Sequence, residues 1–595
     1  MPSIVRSSLP ARILLPALVA AGLAALPAAP ATAATVVTEI YHVPSVDGSS
    51  IRVEVTRDPD FAKVPVILTY SPYNTLSEPS PSDDTYAARY VPLGYARAVA
   101  DLLGTRGSTG CWDYGGAKEQ QSGVDVVKFL AHQPWSNGRV AMVGGSYEGT
   151  TATMVAARGR NVPELKAIVP IAAISHWYGY AYNHGVRFFL NSNNPTDEGF
   201  DTPLAFDYGF NRTVAPDPDD PNFVATLQGR FGPCEFESVE HTQEGYSRQP
   251  DYDAFWRERS YRKDAEKFKA AVLLAHGWQD YNVKQEETIA LWKGLRLDNL
   301  GTARREGVPF KVMYLTQGTH SGGTSGAEWQ PLLDAFLAHT LHGVDNGVDD
   351  RRVSVITRGR TVDGAGAYVT LPPRTDANFP PPGTNKLALH LHRGFDQDIP
   401  GVVVPPPGTG ETGTLETKKA DDGFFTYVDT GASTEETSLR DPLNEPGHGY
   451  YSLFYQSGPL TRDVRLVGSA VLDAWARTQQ PGQHLTPLLV DVLPNGQLRL
   501  VERGFLNLDY RDGLEKAKPL ASGEWGHGKV EFLPQDFTFP AGHRIGLIVQ
   551  SSNTVWAVPG AAGTVNISHT RIPNTPAQGT KLVLPVHGGT SGLFA

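Results

Sequence analysis

From Thr35 to about Gly343 the sequence alternates short apolar runs, each ended by glycine or turn residues, with amphipathic stretches. "VPVILTYSPY" (Val64–Tyr73), "RVAMVGGS" (Arg139–Ser146), "KAIVPIAA" (Lys166–Ala173), "AAVLLAHG" (Ala270–Gly277) and "FKVMYLTQG" (Phe310–Gly318) are short and rich in β-branched residues. Each predicts a strand buried on both faces. Between the runs lie helical patterns. In the clearest, Trp329, Leu332, Leu333, Phe336, Leu337 and Leu341 recur at the spacing of one helix face. Strands alternating with helices leave one broad solution, an α/β fold whose mainly parallel sheet is covered on both faces. The polar, aromatic, proline-punctuated stretch from about Asn183 to Ala265 interrupts the rhythm and predicts a capping insertion.

After about Val348 the helical period fades. Short alternating runs such as "KLALHLHR", "TPLLVDVLP" and "RIGLIVQSS" appear between Gly/Pro turns, as in a β-sandwich of jelly-roll type. The expected division is therefore a catalytic domain over 34–347, with its cap at about 183–265, and a sandwich over 348–595. The first 33 residues read as a secretory signal peptide: Arg6 and Arg12, an apolar run Ile13 to Leu26, then small residues ending at Ala33. That run is short for a membrane span, so the mature chain is expected to be secreted and free of membrane. The other reading is an uncleaved anchor. With 52 Lys and Arg against 63 Asp and Glu, net charge -11, nucleic acid is not an expected partner. Two cysteines, Cys111 and Cys234, exclude a zinc ribbon or a disulfide scaffold. In an oxidising compartment they are expected to form one bridge, two buried thiols being the alternative.

The sharpest local feature is "VAMVGGSYEGTTATMVAA", a strand running through Gly144-Gly145-Ser146-Tyr147-Glu148-Gly149 into a small-residue-rich helix. A strand, tight turn and helix is the arrangement that lifts a serine hydroxyl out at the sheet's C-terminal edge. The pattern departs from G-x-S-x-G, since Glu148 holds the last glycine's place and Gly149 follows. Asp280 follows "AAVLLAHGWQ" and His320 follows "FKVMYLTQGT", both just past predicted strand ends. Ser, then acid, then His, each after a strand, is the order of an α/β-hydrolase triad. Serine needs an imidazole to take its proton, and the imidazole needs a carboxylate to set its tautomer. Neither H-E-x-x-H nor a G-x-G-x-x-G in suitable context occurs, so no metal or cofactor is expected.

These residues resemble the Xaa-Pro dipeptidyl-peptidase and cocaine-esterase family of serine hydrolases, whose nucleophile motif G-x-S-Y-x-G matches Gly144 to Gly149. "SPYN" (Ser71–Asn74), "GTRGSTGCWDYGG" (Gly104–Gly116), "ISHWYGYAYNHG" (Ile174–Gly185), "YDAFWRERSY" (Tyr252–Tyr261) and "HGWQDYNV" (His276–Val283) are similar to segments of the X-prolyl dipeptidyl aminopeptidase branch. The stretches "GSAVLDAWA", "LVERGFL" and "AGHRIGLIVQSS" resemble that family's non-catalytic jelly roll. The resemblance implies Ser146 as nucleophile, Asp280 as acid and His320 as base. It implies the Tyr73 hydroxyl and the Tyr147 backbone N–H as oxyanion donors, with Trp177 and Tyr180 lining a pocket for a proline ring. More loosely, it implies Asp197 or Glu198 in "NNPTDEGFD" as the carboxylate that holds a substrate's terminal ammonium.

The expected substrates are peptides with proline at the second position. The alternative is an esterase or acylase of the same family, such as an α-amino-acid ester hydrolase or a glutaryl acylase. The ester-hydrolase branch carries an acidic cluster just after the segment matching Ile174–Trp177, where this chain has Tyr178, Gly179, Tyr180 and Ala181. A binding protein using the jelly roll as a carbohydrate module is a third class, which the complete triad argues against. Lactic-acid-bacterial members carry a long N-terminal helical domain tied to dimerisation, whereas here the first predicted strand follows the expected signal almost at once, so oligomeric state does not carry over.

Overall fold

The structure is a computed structural model; it describes residues 36–74, 82–189, 203, 232–246, 250–296, 310–350, 353–392, 412–420, 423–440 and 451–595. The first sheet has ten strands: β1 (Val37–Pro44), β2 (Ser50–Arg57), β3 (Val64–Ser71), β4 (Ala96–Asp101), β5 (Ser136–Gly145), β6 (Leu165–Ile171), β7 (Ala271–Gly277), β8 (Lys311–Thr316), β9 (Val355–Thr357) and β10 (Arg374–Asp376). Their spatial order is β1-β2-β4-β3-β5-β6-β7-β8-β9-β10. From β4 through β9 neighbouring strands run parallel; β1, β2 and β10 join antiparallel. All five predicted strands are present. Every residue of β3, β7 and β8 is buried, as expected for a sheet covered on both sides.

Successive strand residues serve opposite faces. Val66 and Leu68 join the core beneath helices Ala117–Ala131 and Tyr147–Ala156, while Ile67 joins the core beneath Trp329–Leu337. In that last helix Trp329, Leu333, Phe336 and Leu337 are buried. Its final turn loosens into a π-type turn, Ala338–His342, that keeps Leu341 inside and stops at left-handed Gly343.

The chain does not change sheets at one point. The first sheet takes β9 and β10 from beyond 348, whereas Arg360–Val362 and Tyr368–Thr370, lying between them in sequence, join the second sheet. Among the described residues the second sheet has fifteen strands and forms the β-sandwich. Burial alternates strictly along Val471–Thr478 and Lys581–His587, so one face of each strand fills an aliphatic core and the other meets solvent. The sandwich braces the loop after β7: Gln285 Nε2 donates to Glu502 Oε2 at 3.3 Å and to the Pro534 carbonyl at 3.0 Å. Among the described residues no helix is long and apolar enough to cross a membrane.

Part of the cap is described, including helices Pro233–Gly245 and Ala254–Glu258. Cys234, the second residue of the first of these, is bonded to Cys111 in the loop after β4, across 123 residues of sequence. Closing so long a loop restricts the unfolded chain strongly. The Cys111→Ser/Cys234→Ser double variant is expected to lose about 2–5 kcal/mol of unfolding free energy, read from denaturant midpoints. An unchanged midpoint would show that the bridge adds nothing to stability.

Candidate active site

The order β4-β3-β5 is a topological switch point: the chain moves from β3 to one neighbour, then returns to the other side. In open α/β sheets the carboxyl ends of the strands at such a point are where ligands bind. Tyr73 lies just past β3 and Ser146 just past β5, on the two sides of that switch. Ser146 adopts φ 57°, ψ -123°, a backbone conformation that costs a non-glycine residue about 1–3 kcal/mol. The surroundings hold it there. Its N–H donates to the Ile171 carbonyl at 2.8 Å, and its carbonyl accepts from Thr150 N at 3.0 Å. The turn closes only over glycines: a Cβ on Gly144 would stand 2.3 Å from Glu148 Cβ, and one on Gly149 would stand 2.8 Å from the Gly144 carbonyl.

Around the serine, the Tyr73 hydroxyl donates to Ser146 Oγ at 3.2 Å and accepts from Tyr147 N–H at 3.2 Å. Burial raises the Tyr73 phenol to about 12, so it stays a neutral donor through the working range of pH. The "SPYN" segment is pinned residue by residue. Ser71 Oγ donates to Glu148 Oε1 at 2.6 Å and accepts from Tyr73 N at 3.0 Å. Asn74 Nδ2 donates to Asp101 Oδ1 at 2.7 Å. Glu148, the residue that breaks the G-x-S-x-G spelling, thus anchors the strand end that carries Tyr73. Burial raises its carboxyl above the ordinary value.

The acid and base come from the next strands along the same edge. Gly145 pairs in register with Ile171, Ile171 with Ala275, and Gly277 with Thr316. The loops after β5, β7 and β8 therefore leave side by side. Asp280 is 1% exposed, and its Oδ2 accepts from His320 Nδ1 at 2.8 Å. Its Oδ1 accepts from the N–H groups of Asn282 and Val283 at 2.9 and 3.0 Å. Burial pushes the Asp280 carboxyl upward, but hydrogen bonds from His276 and His320 more than offset it and leave it below the ordinary carboxylate value. It is ionised at neutral pH, as a carboxylate that orients an imidazole must be.

Trp177 and Tyr180 are both buried, on helix Trp177–Ala181. The Trp177 ring meets Tyr147 edge-on with centroids 5.3 Å apart, and Tyr180 packs edge-on against Trp177 at 5.7 Å. Tyr180 OH donates to Asn282 Oδ1 at 3.1 Å, in the loop of the acid. The aromatic pair therefore joins the oxyanion side of the site to the acid side. Asp197 and Glu198 lie outside the described residues.

Sequence reasoning missed the groups behind these side chains. Tyr147 OH donates to Glu119, at 2.9 and 3.1 Å to its two oxygens, and accepts from Trp112 Nε1 at 2.8 Å. Gly115 N donates to the same carboxyl at 2.6 Å, and burial raises it to about 8. Asp113, Glu237 and His241 each offer one potential metal-ligand atom within 4.8 Å of the others. Arg259 stands 3.4 Å from Asp113 and Lys118 3.0 Å from Glu237, so the cluster is already charge-compensated by side chains.

The sequence profile of the S15 family, X-Pro dipeptidyl-peptidases, matches residues 47–322, and that of the X-Pro dipeptidyl-peptidase C-terminal non-catalytic domain matches 346–582. A Bacillus anthracis protein carrying the provisional name Xaa-Pro dipeptidyl-peptidase is 27% identical over 571 residues, covering 89% of this chain and 84% of that one. Among solved structures, a CocE/NonD family hydrolase from Staphylococcus aureus superposes with TM-score 0.67 at 18% identity, over 93% of this chain and 94% of that one. An α-amino acid ester hydrolase superposes with TM-score 0.64 at 18% identity, over 95% and 99% of the two chains. At that identity the structural likeness speaks for the fold alone. With both of its domains matched in order, the chain belongs to the Xaa-Pro dipeptidyl-peptidase and cocaine-esterase family of α/β-hydrolase serine hydrolases.

Proposed function

We propose that this protein is an exported serine peptidase that releases Xaa-Pro dipeptides from peptide N-termini through an acyl-enzyme on Ser146. The observation that carries the reading is the convergence of Tyr73 OH and Tyr147 N–H beside Ser146 Oγ, with the Asp280–His320 pair on the same sheet edge. His320 takes the serine proton as Oγ attacks the scissile carbonyl. The negative charge that develops on the carbonyl oxygen meets two donors already in place. Before substrate arrives, Tyr147 N–H is given to the Tyr73 oxygen and the Tyr73 hydrogen to Ser146 Oγ, so the oxyanion draws both donors away from these links. His320 then protonates the leaving amine, and water hydrolyses the ester. Trp177 and Tyr180 supply flat, uncharged walls suited to a pyrrolidine ring.

Tyr73→Phe removes one donor and leaves the ring packing. It is expected to lower kcat by about 10²–10³-fold, measured at saturating substrate. A change confined to KM would place Tyr73 in substrate binding instead.

The reading is tested with p-nitroanilides of Ala-Pro, Gly-Pro, free Pro and N-acetylated Ala-Pro against p-nitrophenyl esters. The two free dipeptide substrates are expected to dominate. Preference for the esters, with none of the anilides turned over, would assign the protein to the esterase and acylase side of the family. A carboxylate on the substrate's terminal ammonium is the simplest ruler for two residues, and we assign that role to Asp197 or Glu198. Loss of the right one, by Asp197→Asn or Glu198→Gln, is expected to cut kcat/KM for the free amine about 10–100-fold, the size of a charge-assisted contact. It should also narrow the gap to the acetylated substrate. If neither variant alters that discrimination, the ammonium is held elsewhere.

A further inference from the structure

The Asp280 carboxylate serves two imidazoles. His320 takes Oδ2 at 2.8 Å, and on the other side His276 Nε2 stands 3.2 Å from the same oxygen. His276 is the penultimate residue of β7 and is fully buried, at 0% exposure. Its Nε2 also lies 2.9 Å from the Val283 carbonyl, and its Nδ1 lies 2.7 Å from Thr288 Oγ1. Both neighbours of Nε2 are acceptors, so in either charge state that nitrogen carries a hydrogen. In the neutral ring, Nδ1 then accepts from the Thr288 hydroxyl. Thr288 sits on helix Glu286–Gly294, which therefore fixes the ring's orientation and tautomer from behind.

We propose that His276 is a positioning residue of the catalytic machinery: its Nε2–H, fixed by Thr288 and shared between Val283 O and Asp280 Oδ2, orients the Asp280 carboxylate and limits its basicity toward His320. This rests on the Ser146–His320–Asp280 reading above. The physical basis is that both oxygens of the buried Asp280 carboxylate are engaged. Oδ1 accepts from two backbone N–H groups, and Oδ2 accepts from His320 Nδ1 on one side and faces His276 Nε2 at 3.2 Å on the other. Among the described residues, those two imidazoles are the titratable groups that act most strongly on the carboxylate. Removing the His276 donor concentrates negative charge on the oxygen facing His320. A more basic carboxylate partner favours the imidazolium over the neutral ring. The base would then be lost earlier as pH falls, and the acid limb of kcat/KM would move upward.

The test uses the full chain and whichever p-nitroanilide or p-nitrophenyl ester it turns over. His276→Leu removes the donor, His276→Gln keeps an N–H near the Nε2 position, and Thr288→Val removes the hydroxyl at nearly constant volume. Rates are normalised to the end-point of fluorophosphonate labelling, which counts competent sites. His276→Leu is expected to move the acid limb up by about half a pH unit or more and to lower kcat about tenfold or more with KM little changed. Thr288→Val should shift the limb the same way by less, and His276→Gln should restore it toward the wild-type position. If His276→Leu folds too poorly to assay, Thr288→Val and His276→Gln decide by the same limb. An acid limb unmoved in the variants that fold, with only the number of competent sites reduced, would show a purely structural role and overturn the proposal. Asp280→Asn is assayed in parallel. If it keeps wild-type turnover, the triad reading falls and takes this one with it; if it is inactive while the limb stays put, this proposal alone is wrong.

Discussion

Replacing Ser146 with alanine is expected to abolish turnover, lowering kcat by about 10⁴- to 10⁶-fold, as for a nucleophile whose partners act with it as a unit. The fold should survive. Ser146 is half-buried, the helix after it is held by its backbone, and Ala keeps the Cβ. The hydrogen bond from Tyr73 is lost, but the Tyr73 hydroxyl still faces Tyr147 N. Thermal unfolding should therefore shift by only a few degrees at most, and fluorophosphonate labelling should vanish. What residual rate remains would come from the oxyanion donors and substrate binding. Full activity in a preparation free of wild-type protein would refute the covalent mechanism.

Asp280→Asn is expected to cost about 10⁴-fold in kcat, the scale on which a triad loses rate when its imidazole adopts the wrong tautomer. The geometry makes the outcome specific. Two backbone N–H groups require an acceptor at Oδ1, so the amide oxygen must take that position. The amide NH₂ is then forced onto His320 Nδ1 at the former Oδ2 position. His320 can meet that donor only by accepting at Nδ1, which places its own hydrogen on Nε2, where the serine proton should be received. His276 Nε2, also a donor, would be left facing the same NH₂. Turnover within tenfold of wild type, measured on protein of unchanged circular dichroism, would remove Asp280 from the mechanism.

Much of this architecture was legible from local pattern. The five apolar runs read from the sequence are all strands of the first sheet, because a strand buried on both faces needs an unbroken apolar run, and such a run is visible in one dimension. The Gly144–Gly149 turn was equally visible, since Gly144 and Gly149 stand where a Cβ would collide. The order of serine, acid and base, each just past a strand, was a property of the sequence itself. So was the shift to closely spaced strands after Val348. Its boundary was blurred, because β9 and β10 return to the first sheet while the strands between them join the second.

What the sequence could not determine was who faces whom. Tyr73 and Ser146 are 73 residues apart and touch because β3 and β5 are neighbours in a sheet whose strand order differs from chain order. Residue types carry no record of that order. Tyr73 was reached by resemblance, not by pattern, and Glu119 beneath Tyr147 by neither. His276 stood in the sequence only as part of the strand run Ala270–Gly277. Its place beside Asp280 depends on how the β7 loop turns back on itself, and its tautomer on a threonine in the following helix. The sequence alone thus determined the kinds of element and the chemistry they carry. Long-range strand pairing, which no local periodicity encodes, decided which of those groups share an active site.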